Sequence, residues 1–175
     1  VDSEKTVRSI RAAVEKAEEM ADVQVDMVYA GIAGDHIRSI NGRGVVAITG
    51  EDNEVSEEDI RRVIEAARAV ALPLDREVIH ILPQEFIVDD QRGIRDPVGM
   101  TGVRLEAEVH IVTGAIASAQ NIYRCIEKAG YSTASLVLEP LASSYSVLSE
   151  DEKELGVILV DIGGGTSDKI GRAHV

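Results

Sequence analysis

Cysteine, aromatic residues and long apolar runs are all scarce in this sequence of 175 residues. The single cysteine, Cys125, excludes an internal disulfide and any zinc-type cysteine spacing, so nothing conflicts with a reducing compartment. No uncharged apolar run approaches the ~18 residues that would span a bilayer. The N-terminal run VDSEKTVRSI has no signal-peptide core. We therefore expect a soluble, cytoplasmic protein.

Basic residues are also in short supply, since 18 Lys and Arg stand against 31 Asp and Glu, a net charge of −13. A nucleic-acid binder needs a surplus of Lys and Arg to neutralise phosphates. Nucleic acid and anionic lipid are therefore not expected as partners. The apolar fraction of 45% and the charged fraction of 28% are typical of a globular protein and exclude a disordered one. The length allows one domain or two small ones.

The first part of the sequence predicts a helix, a small sheet and a second helix. Residues 3–21 place apolar side chains at helical spacing. Two strand-like runs follow, and Asn41-Gly42 is typical of a turn that leads into the strand RGVVAIT. Ser56 followed by Asp59 resembles a capping box that opens a helix, and Pro73 is expected to end that helix.

The central part of the sequence predicts further strands. EVIHIL and QEFIVD are two short strand-like runs separated by Pro83. The predicted loop QRGIRDPVGMTG follows, and VRLEAEVHIVT is the longest strand candidate. The order of strand, helix, strand and strand, with plausible boundaries near residues 22 and 104, indicates a small α+β domain inserted into another fold.

The last part of the sequence returns to alternating helices and strands. A helix from Gly114 ends at Gly130, which suits a left-handed cap, and the short strand SLVL follows. Glu139-Pro140 puts proline at a first helical position. The acidic run SEDEKE is expected to be a connection before GVILVDIGGGT.

The run from Val157 to Asp168 carries the strongest functional signal. It reads as a strand, a tight glycine loop and a second strand. Successive glycines let backbone N–H groups turn toward phosphate oxygens, and an acidic residue at the strand end, Asp161, suits a hydrated Mg²⁺. A Gly-rich hairpin without a ligand is the alternative. Neither a P-loop nor a G-x-G-x-x-G fingerprint is present, so a different nucleotide fold is needed.

Other titratable residues favour structural roles. Glu106, Glu108 and His110 alternate onto one side of a predicted strand, and we expect a solvated strand face there rather than a metal site. Cys125 has no base or second thiol near it in the sequence and is expected to be a small buried residue. The remaining candidates are expected to be half-buried histidines or solvated loop-edge carboxylates: His36, His80, Asp89 and Asp90.

Two resemblances bring these observations together. VDIGGGTSD resembles the second phosphate loop of the actin, Hsp70 and hexokinase superfamily of ATP-binding proteins, and LEPLASSYSVL resembles its connecting helix. HIRSINGRGVVAIT and the run from REVIHILPQEF to VRLEAEVHIVTG resemble the inserted subdomain of the FtsA family of bacterial cell division proteins. The resemblance runs almost continuously from residue 1 to residue 168.

The resemblance implies the fold class. We expect α/β with an inserted α+β domain, as in a fragment of an actin-like, ribonuclease H-like fold with a strand-helix-strand-strand insertion. The expected parts are a helix of the first actin-like subdomain (1–22), the inserted SHS2-type subdomain (23–104), the rest of that first subdomain with the connecting helix (105–155) and the phosphate loop that starts the second lobe (156–168). Residues 169–175, KIGRAHV, depart from the family and resemble translated adapter sequence.

The resemblance also implies roles for individual residues. Asp161 matches the residue that binds Mg²⁺ through water, and the phosphate-contacting loop matches Gly163, Gly164, Gly165 and Thr166. Glu139 matches the glutamate that positions the attacking water in the Hsp70 branch. Glu139 could equally cap a helix, so both readings stay open. The implied cofactors are ATP and Mg²⁺, and the implied activity is at most a weak ATPase in the full-length protein.

The partners implied are those of a division protein. The resemblance implies self-association into filaments, links to FtsZ and to later divisome proteins, and a place at the inner face of the membrane at the division site through a C-terminal helix that has no counterpart here. An actin-like ATPase of pilus assembly is one alternative, although it should lack the pattern from Pro97 to Glu106. A small-molecule kinase or chaperone-type ATPase with a catalytic Glu139 is the other.

Overall fold

The computed structural model describes residues 3–163 and 167–172, and they form a mixed α/β structure of two units. One unit is continuous, Ile37–Gly114, and the other combines Val1–His36 with Ala115–Val175. The mixed α/β class predicted from the sequence is confirmed. Among the described residues, no helix combines the length and the apolar character that crossing a membrane requires.

The continuous unit is a four-stranded sheet with one helix. Its strands lie in the order β2, β5, β3, β4, and β2 pairs antiparallel with β5 along its whole length. The elements follow one another as β2 (Arg38–Ala47), α2 (Glu57–Arg68), β3 (Arg76–Val88), β4 (Gln91–Ile94) and β5 (Arg104–Ala115). The core between helix and sheet consists of apolar residues that are at most 7% exposed: Ile48, Val55, Val63, Ala67, Phe86, Val88, Leu105, Ala107, Val109 and Ile111.

Two glycines explain why β2 does not turn at Asn41-Gly42, as the sequence predicts. Both Gly42 and Gly44 lie inside the strand and face helix α2. A Cβ atom on Gly42 would lie 2.3 Å from the backbone oxygen of Ala67, and a Cβ atom on Gly44 would lie 2.2 Å from the backbone oxygen of Val63. The predicted turn was therefore wrong, because these glycines let a helix backbone approach a strand rather than reverse the chain.

Pro83 does not divide β3 into two strands, which is a second correction. The strand runs for 13 residues through the proline. Its neighbour β4 pairs only with Phe86 and Val88, so the stretch around Pro83 has no described partner strand on that side. A missing N–H is tolerated at such an open edge.

Helix α2 begins as the sequence predicts. The Ser56 hydroxyl accepts a hydrogen bond from the Asp59 N–H, and the Asp59 carboxylate accepts one from the Ser56 N–H, which completes the capping box. The helix ends at Arg68, five residues before Pro73.

The discontinuous unit contains helices on short sheets. Strands β1 (Met27–Ile32) and β6 (Ser132–Leu138) pair in parallel, and β7 (Val157–Ile162) pairs antiparallel with β8 (Ser167–Arg172). The helices are α1 (Ser3–Ala21), α3 (Ile116–Ala129), α4 (Glu139–Val147) and α5 (Glu150–Leu155). The acidic run SEDEKE therefore forms α5 instead of an irregular connection, because Ser149 and Glu152 make a second capping box.

Helix α3 ends as predicted, and α1 contacts it there. Gly130 has φ 99° and caps α3 in the left-handed conformation. The guanidinium of Arg11 donates to the carbonyl oxygens of Lys128 and Ala129 at 3.3 and 3.4 Å. A cation at a helix C-terminus interacts favourably with the helix dipole, so Arg11 ties α1 to the end of α3.

The division between the units differs from the predicted range of 23–104. Strand β1 belongs with the discontinuous unit because it pairs with β6, and β5 belongs with the continuous unit because it lies between β2 and β3. The two boundaries therefore move to residues 37 and 114.

We expect residues 37–114 to fold as an excised polypeptide. This range keeps the central strand β5, whereas residues 23–104 would lose nearly all of it. The stability expected for a polypeptide of this size is about 5 kcal/mol. Urea unfolding followed by circular dichroism should show one cooperative transition for 37–114 and none for 23–104. A disordered 37–114 polypeptide would contradict this division.

Candidate functional site

An open cleft of about 590 Å³ lies in the discontinuous unit, where β1 and β6 end and α4 begins. The carboxyl ends of adjacent parallel strands are a common place for ligands in α/β proteins. The cleft is lined by Tyr29, Ala30, Gly31, Val137, Glu139, Ala142, Ser143, Tyr145 and Asp161. It therefore brings together Glu139 and Asp161, the two acidic residues to which the resemblance assigns roles in the nucleotide site.

Glu139 is the first residue of α4 and is exposed in the cleft. Leu138 occupies the N-cap position of α4, and its side chain makes no capping hydrogen bond. The expectation that Glu139 serves as a helix cap is thus not met. The glutamate still lies in the first turn, where a negative charge interacts favourably with the helix dipole.

Gly31 makes room for the Glu139 side chain. A Cβ atom on Gly31 would lie 2.8 Å from Glu139 Cγ and 3.0 Å from Glu139 Oε1. The glutamate therefore lies against the backbone near the end of β1. Sequence reasoning did not single out Gly31, although a glycine inside a strand-like run signals close approach of another group.

Asp161 is half-buried on β7 and is held by a side chain from α4. The Ser143 hydroxyl donates a hydrogen bond of 2.7 Å to Asp161 Oδ2. Ser143 is a residue that sequence reasoning missed, because nothing in the local pattern links positions on two different elements. The contact joins the helix that carries Glu139 to the strand that leads into the glycine loop.

Two paired strands flank the glycine-rich run of the sequence, as predicted. Asp161 pairs with Asp168 and Ile162 with Ser167 in the β7 and β8 hairpin. Gly163 is exposed at the start of the loop. The rest of the predicted phosphate loop, Gly164, Gly165 and Thr166, lies outside the described residues.

The donors in the cleft fit a hydrated Mg²⁺ better than a metal enclosed by protein. They are the carboxylates of Glu139 and Asp161, and Mg²⁺ prefers such oxygen ligands. In the described part of the chain, no group of three His, Cys, Asp or Glu side chains is placed to hold a metal. A cation here would keep several waters and take further ligands from a phosphate group.

The Glu106, Glu108 and His110 face of β5 is less solvated than expected. Glu106 is buried at 4% exposure and forms ion pairs with Arg43 and Arg104. The side-chain hydrogen bond to Glu106 raises the pKa of Arg43, and His110 Nδ1 lies 2.8 Å from Asn41 Oδ1. The prediction of a solvated face was therefore wrong for Glu106, because two arginines cover it.

Three further candidates have structural roles. Cys125 is buried, as expected. Burial lowers the pKa of the half-buried His80. Asp89 was expected to be a solvated carboxylate, but it lies in a turn with φ 52°. Its carboxylate accepts hydrogen bonds from the N–H groups of Val103 and Arg104 at 3.1 and 2.9 Å.

The chain is similar to cell division proteins in sequence. The SHS2 domain inserted in FtsA matches residues 34–113. The cell division protein FtsA of Pseudomonas aeruginosa is 54% identical over 96% of this chain, and that of Neisseria meningitidis is 51% identical over 93%. The FtsA of Escherichia coli is 45% identical over 95% of the chain. The chain spans about 40% of the length of these relatives.

A solved structure shares the fold at lower sequence identity. A chain of the PilM-PilN type IV pilus biogenesis complex matches with a TM-score of 0.59 and 13% identity, over 95% of this chain and 44% of that one. This similarity concerns the fold alone, whereas the division proteins share roughly half of their aligned residues with the chain. The chain therefore belongs, as a segment that includes the SHS2 domain, to the FtsA family of cell division proteins.

Proposed function

We propose that this chain is the part of a cell division protein that supplies one side of an ATP site. The observation that carries the proposal is the cleft that brings Glu139, Ser143 and Asp161 together beside the start of the glycine loop. The family similarity supports a cell division role.

In this proposal each residue of the cleft acts on a different part of the nucleotide. Asp161 would hold a hydrated Mg²⁺, and Gly163, Gly164, Gly165 and Thr166 would contact phosphate oxygens. Glu139 places a water molecule near the terminal phosphate, which supports at most weak hydrolysis. Mg²⁺ contributes neutralisation of the phosphate charge.

This segment alone is expected to bind ATP weakly or not at all. The proposed site has one phosphate loop and a cleft that is open to solvent. A nucleotide held on one side stays largely hydrated and poorly positioned. The full-length protein is therefore the right object for binding measurements.

The proposed function of the full-length protein is assembly at the division site. Self-association into filaments, binding of FtsZ and later divisome proteins, and a position at the cytoplasmic face of the membrane all follow from family membership as proposals. The SHS2 unit, residues 37–114, would supply polymer contacts.

The Asp161→Ala substitution in the full-length protein tests the nucleotide site. We expect the affinity for Mg²⁺-ATP to fall roughly tenfold or more, because a charge beside the cation is removed. Calorimetric titration measures the affinity, and circular dichroism checks the fold. Asp151→Ala, on the exposed helix α5, is the matched control and should bind normally. Unchanged affinity in a folded Asp161→Ala protein would contradict the proposal.

A further inference from the structure

Ser143 differs from the neighbouring serines of α4 in where its hydroxyl points. Ser144 donates to the carbonyl oxygen of Leu141 at 2.7 Å, and Ser146 donates to that of Ser143 at 2.9 Å. Both hydroxyls are thus satisfied by their own helix, which is the usual arrangement for serine inside a helix. Ser143 instead donates across to Asp161 on β7.

The position of Ser143 on the helix directs it to the cleft. It follows Glu139 by four residues, so the two side chains lie on the same face of α4, one turn apart. Both line the cleft together with Asp161. The hydroxyl is therefore placed between the helix face that carries Glu139 and the strand that precedes the glycine loop.

The hydrogen bond from Ser143 makes the two oxygens of the Asp161 carboxylate different. Oδ2 accepts a hydrogen bond of 2.7 Å from the Ser143 hydroxyl, a normal distance for an O–H···O bond. Among the described residues, the one hydrogen bond to the Asp161 carboxylate is this bond to Oδ2, so Oδ1 is an acceptor for a ligand. A carboxylate with one oxygen held in place loses less rotational freedom when its other oxygen engages a hydrated cation.

We infer that Ser143 is a positioning residue, which fixes the Asp161 carboxylate for a divalent cation bound with a nucleotide. The inference rests on the proposed nucleotide site. Ser143 contacts neither phosphate nor cation in this scheme and acts only through Asp161. Its contribution should therefore exist only when both the cation and the Asp161 carboxylate are present.

The test titrates the full-length protein with ATP. One titration is made in the presence of Mg²⁺ and the other in the presence of a chelator that removes it. We expect Ser143→Ala to weaken binding roughly fivefold to tenfold with Mg²⁺, the size of one typical net hydrogen bond, and to leave metal-free ATP binding unchanged. Ser143→Thr keeps the hydroxyl and should restore most of the affinity. Ser146→Ala is the matched control, since that hydroxyl bonds only within the helix.

A double-variant cycle separates positioning from a merely structural role. In the Asp161→Ala background, Ser143→Ala should change the affinity for Mg²⁺-ATP no further. Equal losses with and without Mg²⁺, an undiminished loss in the Asp161→Ala background, or no loss at all would overturn the inference. Thermal melting identifies a variant that fails to fold, and Ser143→Cys, whose thiol is a much weaker donor, then supplies the same comparison. A parent protein that binds no Mg²⁺-ATP would instead overturn the proposed function, and the inference with it.

Discussion

The Gly44→Ala substitution is expected to destabilise the continuous unit by roughly 3 kcal/mol or more. The added methyl group would lie 2.2 Å from the backbone oxygen of Val63 and 2.5 Å from the backbone nitrogen of Ala67. Both are backbone atoms, so no rotamer change relieves the overlap and helix α2 must move. The loss exceeds the ~1 kcal/mol that alanine gains by restricting the unfolded chain.

Hydrogen exchange in the whole chain measures this effect where it occurs. Protection should fall in β2 and α2, while α3 and β6 in the other unit serve as an internal reference. Val45→Ala is the matched control, because Val45 is the next residue, faces away from the helix and is 51% exposed. A Gly44→Ala protein with normal protection in α2 would show that the strand and helix are not in close contact.

The Asp59→Asn substitution is expected to lower the unfolding free energy of residues 37–114 by about 3 kcal/mol at neutral pH. Asp59 is buried, and its carboxylate accepts hydrogen bonds from the backbone and the hydroxyl of both Thr49 and Ser56. Arg62 lies 2.8 Å from Oδ1 and completes the arrangement. An asparagine cannot accept all of these bonds, so buried donors would be left unsatisfied.

The same carboxylate predicts a dependence of stability on pH. Burial alone would raise the pKa of Asp59, but the hydrogen bonds from Ser56 and Thr49 outweigh burial and lower it from 3.8 to about 2. Because the folded pKa is the lower one, the stabilisation is complete above the unfolded value. It is lost as the pH falls from about 4 through about 2, and it amounts to about 2 kcal/mol.

Urea unfolding of residues 37–114 between pH 7 and pH 2 checks this dependence. The difference between the wild-type and Asp59→Asn curves isolates Asp59, since the other carboxylates titrate in both proteins. The difference should shrink below about pH 4. Asp90→Asn is the matched control, because the Asp90 side chain is fully exposed at 103%. A difference that stays constant down to pH 2 would contradict the assigned pKa.

The features that the sequence predicted correctly are determined by residues that lie close together in the sequence. The capping box needs only Ser56 and Asp59, three positions apart, and the left-handed cap of α3 needs only Gly130. Both depend on the local backbone alone. Arg62 is the i+3 neighbour of Asp59 on the same helix, whereas Thr49 lies after the end of β2, so its hydrogen bond to Asp59 could not be read from the helix itself.

The wrong predictions share a tertiary cause. A glycine at position 42 and a proline at position 83 both interrupt a strand when only local preference is considered. Here Gly42 serves the approach of α2, and Pro83 lies where the edge of β3 has no described partner. Two glycines spaced by two residues were the available signal for a helix on that face, since the spacing puts both on one side of a strand.

The candidate site could be predicted in part. Asp161 and Glu139 each lie in a recognisable motif, so their types and positions were accessible. Their meeting in one cleft depends on the packing of α4 against β7, a tertiary contact that neither local motif predicts. Ser143 became visible only through its contact with Asp161.

The pairing of β2 with β5 has a consequence for how the continuous unit can be inserted into another chain. Arg38 pairs directly with Thr113, so the entry and exit of the continuous unit are neighbouring strand ends, about 5 Å apart. A module whose ends meet in this way can be spliced into a surface loop, or removed from it, without pulling the host backbone apart. The unit is thus transplantable, and its host needs only a short turn in its place to restore an uninterrupted chain.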